Sequence, residues 1–169
     1  MIVLLVDGYN IIGAWPELKG LKERDLSQAR DLLIERMAEY QAYTGDRVII
    51  VFDAYHVRGL GKKQNNFKVE VIYTKENETA DERIEKLAGS LTDVRTKVYV
   101  ATSDYAEQRT IFAQGAFRKS ARELHIEVTN IQREIKKDVE SHKRVQYQPK
   151  IPINKEIRDI FEKWRRGDK

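Results

Sequence analysis

The sequence IVLLVD at residues 2–7 decides the fold: five consecutive apolar residues, most of them branched, end on a carboxylate. A short, fully apolar run of this kind is typical of a strand that is buried on both faces of a parallel sheet. Residues 48–52 and 97–101 form two further apolar runs. The runs are separated by segments long enough for helices, and such crossovers join parallel strands. We therefore predict a three-layer α/β fold with a mainly parallel sheet flanked by helices.

Capping residues and apolar periodicity predict the remaining elements. Thr79 and Glu82 have the spacing of a capping box, and Gly45 and Gly115 are typical helix stops. Predicted helices cover residues 25–43, 79–89, 103–114, 118–124, 130–141 and 153–166, and predicted strands cover residues 67–73 and 126–128. The first of these strands alternates apolar and polar residues, which is typical of a half-exposed or edge strand.

The charge is distributed unevenly along the 169 residues. Residues 131–169 contain 12 Lys or Arg against 7 Asp or Glu, whereas the first 130 residues contain 19 against 20. Residues 54–66 carry three cations and no acid. A basic loop and a basic tail favour a polyanionic partner, although solubility alone would also explain them. We predict one domain at residues 1–145 and a basic C-terminal helical extension at residues 146–169 that packs on it.

Several classes of site are excluded. The chain contains no cysteine, so it has no disulfide, no cysteine-held zinc and no thiol nucleophile. Neither G-x-G-x-x-G nor G-x-x-x-x-G-K-[ST] occurs after the first strand, so we expect no nucleotide cofactor. Tyr9 stands where an aspartyl-phosphate phosphatase places its second acid. The apolar run at residues 1–6 is too short for a signal or a membrane span, and we expect a cytoplasmic protein with no membrane contact.

Acids stand at the ends of the predicted strands. Asp7 and Asp53 directly follow two of them, and Asp104 follows a third after two residues. Asp81 lies in the first turn of a predicted helix and Asn10 lies three residues after Asp7. The carboxyl ends of parallel strands meet at one edge of a sheet, where ligands bind. Four carboxylates gathered there repel one another unless a cation intervenes, and oxygen ligands select Mg²⁺ or Mn²⁺ over zinc.

Each acid also has a simpler interpretation. An aspartate after a strand is often a turn former or a helix cap, and Asp81 in a first turn favours the helix dipole. Ser103 has the position of a cap, a phosphate ligand or a support for Asp104. The coincidence of acids at three apolar strand ends favours a metal site over these separate roles.

Four motifs in order identify a resemblance: LLVDGYNII at residues 4–12, VFDA at 51–54, ENETAD at 76–81 and ATSD at 101–104. Together they resemble the NYN domain in its YacP-type bacterial branch, which belongs to the PIN-like nuclease group, over nearly the whole chain. The resemblance implies a PIN-like, Rossmann-like sheet and hydrolysis of RNA phosphodiesters with Mg²⁺ or Mn²⁺. It also implies a ribosome partner, because that branch includes an endoribonuclease that cuts mRNA in the ribosomal A site.

The resemblance also implies residue roles. Asp7, Asn10, Asp81 and Asp104 are the expected catalytic residues, and Asp53 joins the three aspartates as a metal ligand or lies behind them, with Ser103 as a support. The predicted RNA-binding cations are Arg58, Lys62, Lys63, Arg118 and Lys119. Two alternatives to an endoribonuclease stay open: a non-catalytic ribosome or RNA adaptor that retains the fold, and a small-molecule phosphohydrolase.

Overall fold

The computed structural model describes residues 1–54, 68–146 and 155–167. Five parallel strands form one sheet in the order β3-β2-β1-β4-β5. The strands are β1 (Ile2–Asp7), β2 (Arg47–Phe52), β3 (Glu70–Tyr73), β4 (Lys97–Ala101) and β5 (Phe117–Lys119). The predicted α/β class and parallel sheet are confirmed, and the predicted half-exposed strand lies at the sheet edge as β3.

Helices connect and cover the strands. They are α1 (Gly8–Ala14), α2 (Pro16–Arg24), α3 (Leu26–Thr44), α4 (Ala80–Leu91), α5 (Glu107–Ala113), α6 (Ala121–Gln146) and α7 (Lys155–Arg165). The side chain of Asp25 caps α3 by accepting from the backbone N–H groups of Ser27 and Gln28, and Gly45 ends α3 in the left-handed conformation. These helix ends follow the capping residues of the sequence.

Both faces of the sheet are buried. On one face, alternate residues of the central strand, Val3 and Leu5, share an apolar cluster with Ile84 of α4 and Ile111 of α5. On the other face, α1 and α3 contact β2 and α1 contacts β1. The intervening residues of β1 are buried as well. Helices on both faces explain why the strands read as continuous apolar runs.

Three predicted elements are wrong. Residues 126–128 are not a strand, and the predicted helices at 118–124 and 130–141 are not separate, because α6 runs unbroken from Ala121 to Gln146 and residues 118 and 119 belong to β5. Ala121, Leu124, Val128 and Ile131 are buried along α6, and their spacing of three and four is helical. The edge strand is instead β5, which pairs with β4 from Tyr99 to Ala101.

The chain divides into two compact units, residues 1–132 and 133–169. The first contains the sheet and all candidate acids. The second contains the end of α6 and the amphipathic helix α7, whose Ile160 and Trp164 are exposed. The predicted domain boundary at residue 145 stays a prediction. Within the described ranges, no helix has both the length and the apolar character needed to cross a membrane.

Candidate active site

The strand order creates a crevice at the carboxyl edge of the sheet. From β1 the chain moves outward through β2 to β3 and then returns to the other side of β1 as β4. Ligands of open α/β sheets bind outside the strand ends at such a reversal. The register pairs Val6 with Ala101, so the segments that follow β1 and β4 emerge side by side.

The predicted acids meet in one cleft at this edge. It has a volume of about 430 Å³ and is lined by Asp7, Tyr9, Asn10, Asp53, Thr79, Ala80, Asp81 and Asp104. We call it the acidic cleft. The structure thus brings together all four aspartates and the asparagine that the sequence singles out, from positions that span almost 100 residues.

Asn10 is fixed across the crevice by Ser103. The backbone N–H of Ser103 donates to Asn10 Oδ1 at 2.6 Å, and the Ser103 hydroxyl donates to the same oxygen at 2.8 Å. The two residues lie beyond neighbouring strands, so these bonds join the two sides of the reversal. Because the amide oxygen is engaged, the Nδ2 group is the part of Asn10 that can donate to another molecule. Ser103 therefore supports Asn10.

Asp104 is held in a tight turn after β4. Its backbone N–H donates to Thr102 Oγ1 at 3.1 Å, and its Oδ1 accepts from the backbone N–H of Ala106 at 2.8 Å. Because of this turn, the next helix begins further along the chain, at Glu107, with Ala106 as its N-cap. The prediction that Ser103 or Asp104 directly caps that helix is wrong, although Asp104 does bind a backbone N–H in the way of a turn former.

Asp81 reaches the cleft from the first turn of α4. The helix begins with the predicted capping box: Thr79 Oγ1 accepts from the backbone N–H of Glu82, and Glu82 Oε2 accepts from that of Thr79. This reciprocal pair fixes the helix start and therefore the position of Asp81. The carboxylate is exposed, and its place in the first turn also favours the helix dipole.

Tyr9 forms the wall of the cleft beside Phe52. Their ring centroids lie 5.1 Å apart, and Arg30 Nη1 donates to the Tyr9 hydroxyl at 3.2 Å. Burial raises the pKa of the Tyr9 phenol, and this outweighs the opposing effect of the Arg30 charge. The hydroxyl therefore stays protonated at neutral pH, so Tyr9 adds no charge to the acids.

The cleft presents the donor set of a hard cation, but the carboxylates do not form a tight cage. Among the described residues, its titratable lining consists of four carboxylates and one phenol and includes no imidazole. Such oxygen donors suit Mg²⁺ or Mn²⁺. In the described ranges, no three His, Asp or Glu side chains stand close enough together to hold an ion. The donor chemistry therefore fits a hard cation.

The predicted RNA-binding cations are in different environments. Arg58, Lys62 and Lys63 lie outside the described residues. Lys119 does not line the cleft: its Nζ forms an ion pair with Glu127 at 2.8 Å. Burial lowers the pKa of the Lys119 ammonium, but the hydrogen bonds and charges of Glu127 and Tyr40 together outweigh this effect and leave the pKa raised.

Arg118 lines a second cavity of about 520 Å³. Its other lining residues are Ala14, Trp15, Pro16, Ser103, Tyr105, Ser120, Ala121, Arg122 and His125. Sequence reasoning misses Trp15 and Arg122 as members of this surface, because the two residues come from distant parts of the chain. Nothing in their local sequence signals that they meet.

Comparison with known proteins gives the family. The sequence profile of the YacP-like NYN domain matches residues 4–166. The chain belongs to this family. NYN domains are nuclease-like, so membership supports an RNA-related nuclease in general, and the resemblance in the sequence is confirmed.

Relatives cover nearly the full chain. It is 61% identical over 168 residues to the uncharacterized protein YacP of Bacillus subtilis strain 168, which covers 99% of both chains. The crystal structure of Rae1 (YacP) from Bacillus subtilis superposes with a TM-score of 0.80 at 61% identity, covering 99% of this chain and 97% of that one. The W164L mutant of Rae1 gives a TM-score of 0.75 at 56% identity, with 98% and 96% covered.

Proposed function

We propose that the chain is a Mg²⁺- or Mn²⁺-dependent endoribonuclease that hydrolyses mRNA phosphodiester bonds in association with the translating ribosome. It would act in the cytoplasm and contribute to mRNA decay. The observation that carries the proposal is the acidic cleft, in which four aspartates and an anchored asparagine line the carboxyl edge of the sheet. The nuclease-like family of the chain supports the same conclusion. The ribosomal partner rests on the family resemblance alone.

Asp7, Asp53, Asp81 and Asp104 are the residues that would hold the metal. When bound, such an ion neutralises phosphate charge and makes water a stronger nucleophile. Asp7 is buried at the end of the central strand, which pairs with β2 on one side and β4 on the other, and this pairing fixes its position. We assign Asp53 a ligand or supporting role.

Asn10 and Ser103 have complementary tasks in this proposal. Ser103 holds the amide oxygen of Asn10 with two bonds, and the remaining Nδ2 group donates to a phosphate oxygen or orients the attacking water. Because the amide is neutral, it adds a donor without adding a charge that repels the polyanion. Attack by water rather than by the ribose 2′-hydroxyl predicts products with 5′-phosphate and 3′-hydroxyl ends.

Cleavage of an mRNA during translation by purified ribosomes tests the activity. Wild type and Asp7→Asn are compared, with the same RNA free of ribosomes as a second substrate. Asp93→Asn is a matched control, since Asp93 precedes β4 at the opposite sheet edge and an asparagine oxygen can still accept from the backbone N–H of Arg95. We expect cleavage by wild type and Asp93→Asn only. Intact mRNA with all three proteins, together with ribosome binding by each, would instead support the adaptor function.

Metal binding is tested separately, because ribosomes themselves require Mg²⁺. Mn²⁺ added to the isotopically labelled protein broadens the NMR signals of nuclei close to the bound ion. We expect saturable broadening at the backbone amides of Asp7, Asn10 and Asp104, abolished by Asp7→Asn and retained by Asp93→Asn. Uniform weak broadening over all acidic surfaces would contradict a metal site in the acidic cleft.

A further inference from the structure

A basic groove adjoins the acidic cleft. We use this name for the second cavity, whose principal walls are Trp15, Ser103, Tyr105, Arg118, Ser120 and Arg122. Its volume of about 520 Å³ lies within the range of about 300–1,000 Å³ that small-ligand sites occupy. Among the described residues that line it, two are arginines and none is an acid, and His125 is paired with Glu17 at 2.9 Å. The groove therefore attracts the anions that the acidic cleft repels.

The groove and the cleft are continuous through one pair of hydrogen-bonded residues. Ser103 lines the groove, and Asn10, to which it donates, lines the cleft. The register explains this contact: β1 pairs with β4, Val6 opposite Ala101, and β4 pairs with β5, Ala101 opposite Lys119, so the segments that follow all three strands lie at the carboxyl edge. The Asn10–Ser103 pair therefore stands at the boundary between the cleft and the groove.

Tyr105 and Arg118 form a stacked pair inside the groove. The Arg118 guanidinium lies 4.6 Å from the centroid of the Tyr105 ring, and the ring is 74% exposed. The Nε atom of Arg118 is buried and has no hydrogen-bond partner among the described residues. An arginine that supports one face of an aromatic ring leaves the rest of the ring available for stacking with a planar group.

The opposite wall of the groove is rigid. The indole N–H of Trp15, itself 1% exposed, donates to the backbone carbonyl of Ala121 at 2.8 Å. Ser120 and Glu123 exchange backbone and side-chain bonds at the start of α6 in the pattern of a capping box. This wall is thus formed by a buried side chain and by the start of a helix, whereas Ser103 and Tyr105 lie in the segment that joins β4 to α5.

We propose that the basic groove binds one nucleotide of a single-stranded RNA, adjacent to the phosphodiester in the acidic cleft. The base stacks on Tyr105, and Arg118 and Arg122 receive the phosphate. This assignment rests on the proposed function for its choice of RNA as the polymer. In this proposal Tyr105 and Arg118 hold the RNA strand in position beside the cleft, whereas the acids of the cleft repel the RNA.

Equilibrium binding without cleavage tests the groove. The full chain is titrated in EDTA against a fluorescent single-stranded oligoribonucleotide of about ten nucleotides, a length within the usual range of single-strand sites. Tyr105→Ala loses the stacking of one base, so we expect it to weaken binding about 5- to 100-fold. Tyr105→Phe keeps the aromatic ring and should retain the affinity. Tyr43→Ala is the matched control, because Tyr43 is exposed before β2 at the opposite sheet edge.

The salt dependence separates the roles of the two residues. Arg118→Gln lowers the slope of log affinity against log salt by about 0.7, the value for one phosphate of a single strand, whereas Tyr105→Ala leaves the slope unchanged. Arg95→Gln, in the turn before β4, is the control. A second readout replaces each nucleotide of the oligonucleotide in turn by an abasic one. One of these replacements should weaken binding to wild type and should not weaken binding to Tyr105→Ala any further.

The outcomes distinguish this inference from the proposed function. Unchanged binding by Tyr105→Ala and Arg118→Gln, in a protein that still cleaves mRNA, would overturn the groove and leave the nuclease intact. Weakened binding by both, in a protein that cleaves no RNA, would support the groove as an RNA site and overturn the nuclease. Equal loss with Tyr43→Ala and Arg95→Gln would show nonspecific attraction and would also overturn the assignment.

Discussion

Replacement of Gly8 by alanine perturbs the junction between the central strand and the acidic cleft. Gly8 is buried directly after Asp7, at the first position of α1. A Cβ at this position would lie 3.0 Å from Cζ of Phe52 and still closer to Cδ1 and Cε1. Carbon atoms in contact prefer separations of about 3.5–4.0 Å, so the added methyl group overlaps three ring atoms. Either the Phe52 ring or the start of α1 must move.

The ring has little room to move. Phe52 is fully buried, with ring centroids 5.1 Å from Tyr9 and 5.7 Å from Tyr73. Overpacking of such a core typically costs about 1–3 kcal/mol. The gain in helix propensity from glycine to alanine offsets at most about 1 kcal/mol of this. We therefore expect Gly8→Ala to lower the free energy of unfolding by about 1–2 kcal/mol. Each kcal/mol lost should lower the melting temperature by about 2–4 °C.

Gly13→Ala is the matched control in the same helix. A Cβ at Gly13 meets nothing within 4 Å, so this variant should be neutral or slightly more stable than wild type. Urea unfolding followed by circular dichroism measures both free energies. If Gly8→Ala is as stable as Gly13→Ala, the close packing of Phe52 on the start of α1 is refuted. Because α1 also carries Asn10, we further expect Gly8→Ala, but not Gly13→Ala, to slow RNA cleavage.

Three further predictions concern contacts around the sheet edge. Ser103→Ala removes one of the two bonds that hold Asn10; we expect the cleavage rate to fall about tenfold through misplacement, with stability unchanged. Trp15→Phe leaves the buried carbonyl of Ala121 without its indole donor and should lower the free energy of unfolding by about 1–3 kcal/mol. The raised pKa of Lys119 means that its stabilising charge is complete below pH 10.5 and is lost as pH rises through the folded-state pKa; Lys119→Met should flatten the alkaline loss of stability.

Each of these predictions has a result that contradicts it. Ser103→Ala activity equal to wild type would show that the backbone N–H alone positions Asn10. Trp15→Phe with an unchanged unfolding midpoint would mean that water replaces the indole donor. For Lys119→Met, Lys137→Met is the control, because Lys137 forms an exposed ion pair with Glu134 within its own helix. If the stability of the two variants depends on pH in the same way, the ion pair of Lys119 does not contribute to the alkaline loss of stability.

The sequence predicts the sheet well because burial on both faces leaves a strong local signal. A strand that is buried on both faces, such as β1, is apolar along its length, so the acid at its last position marks its end. Parallel pairing then determines that the residues after β1, β2 and β4 share one edge. The meeting of Asp7, Asp53 and Asp104 in one cleft follows from these two facts, and Asp81 joins them because α4, which follows β3, begins at the same edge.

The same reasoning misses short or polar helices. Helix α1 has seven residues, and Leu18 is the buried residue of α2. Neither length nor apolar periodicity distinguishes such segments from a loop. In α6 the opposite difficulty arises: the apolar residues near Ile126 suggest a strand, yet this isoleucine is half exposed and the helix continues through it. Tertiary packing, which local sequence does not contain, decides both cases.

Side-chain partners are the least predictable part of the site. Asn10 and Ser103 are separated by 93 residues, and their bond depends on how the crevice closes around the strand ends. Lys119 is predicted to bind RNA because it is basic, but α6 places Glu127 at 2.8 Å from its ammonium. Residue type indicates what a side chain can bind, whereas the packing of distant elements determines which partner is present.

The most direct test of the central claim is the single-turnover rate of mRNA cleavage by Asp81→Asn beside Asp93→Asn. Asp81 is exposed on the first turn of α4, so its replacement should leave the fold intact. If the acidic cleft is the catalytic centre, Asp81→Asn should cleave about 100-fold or more slowly than wild type, because an essential electrostatic group is lost. Asp93→Asn should cleave at the wild-type rate. Equal, undiminished rates for both variants would contradict the assignment of catalysis to this cleft.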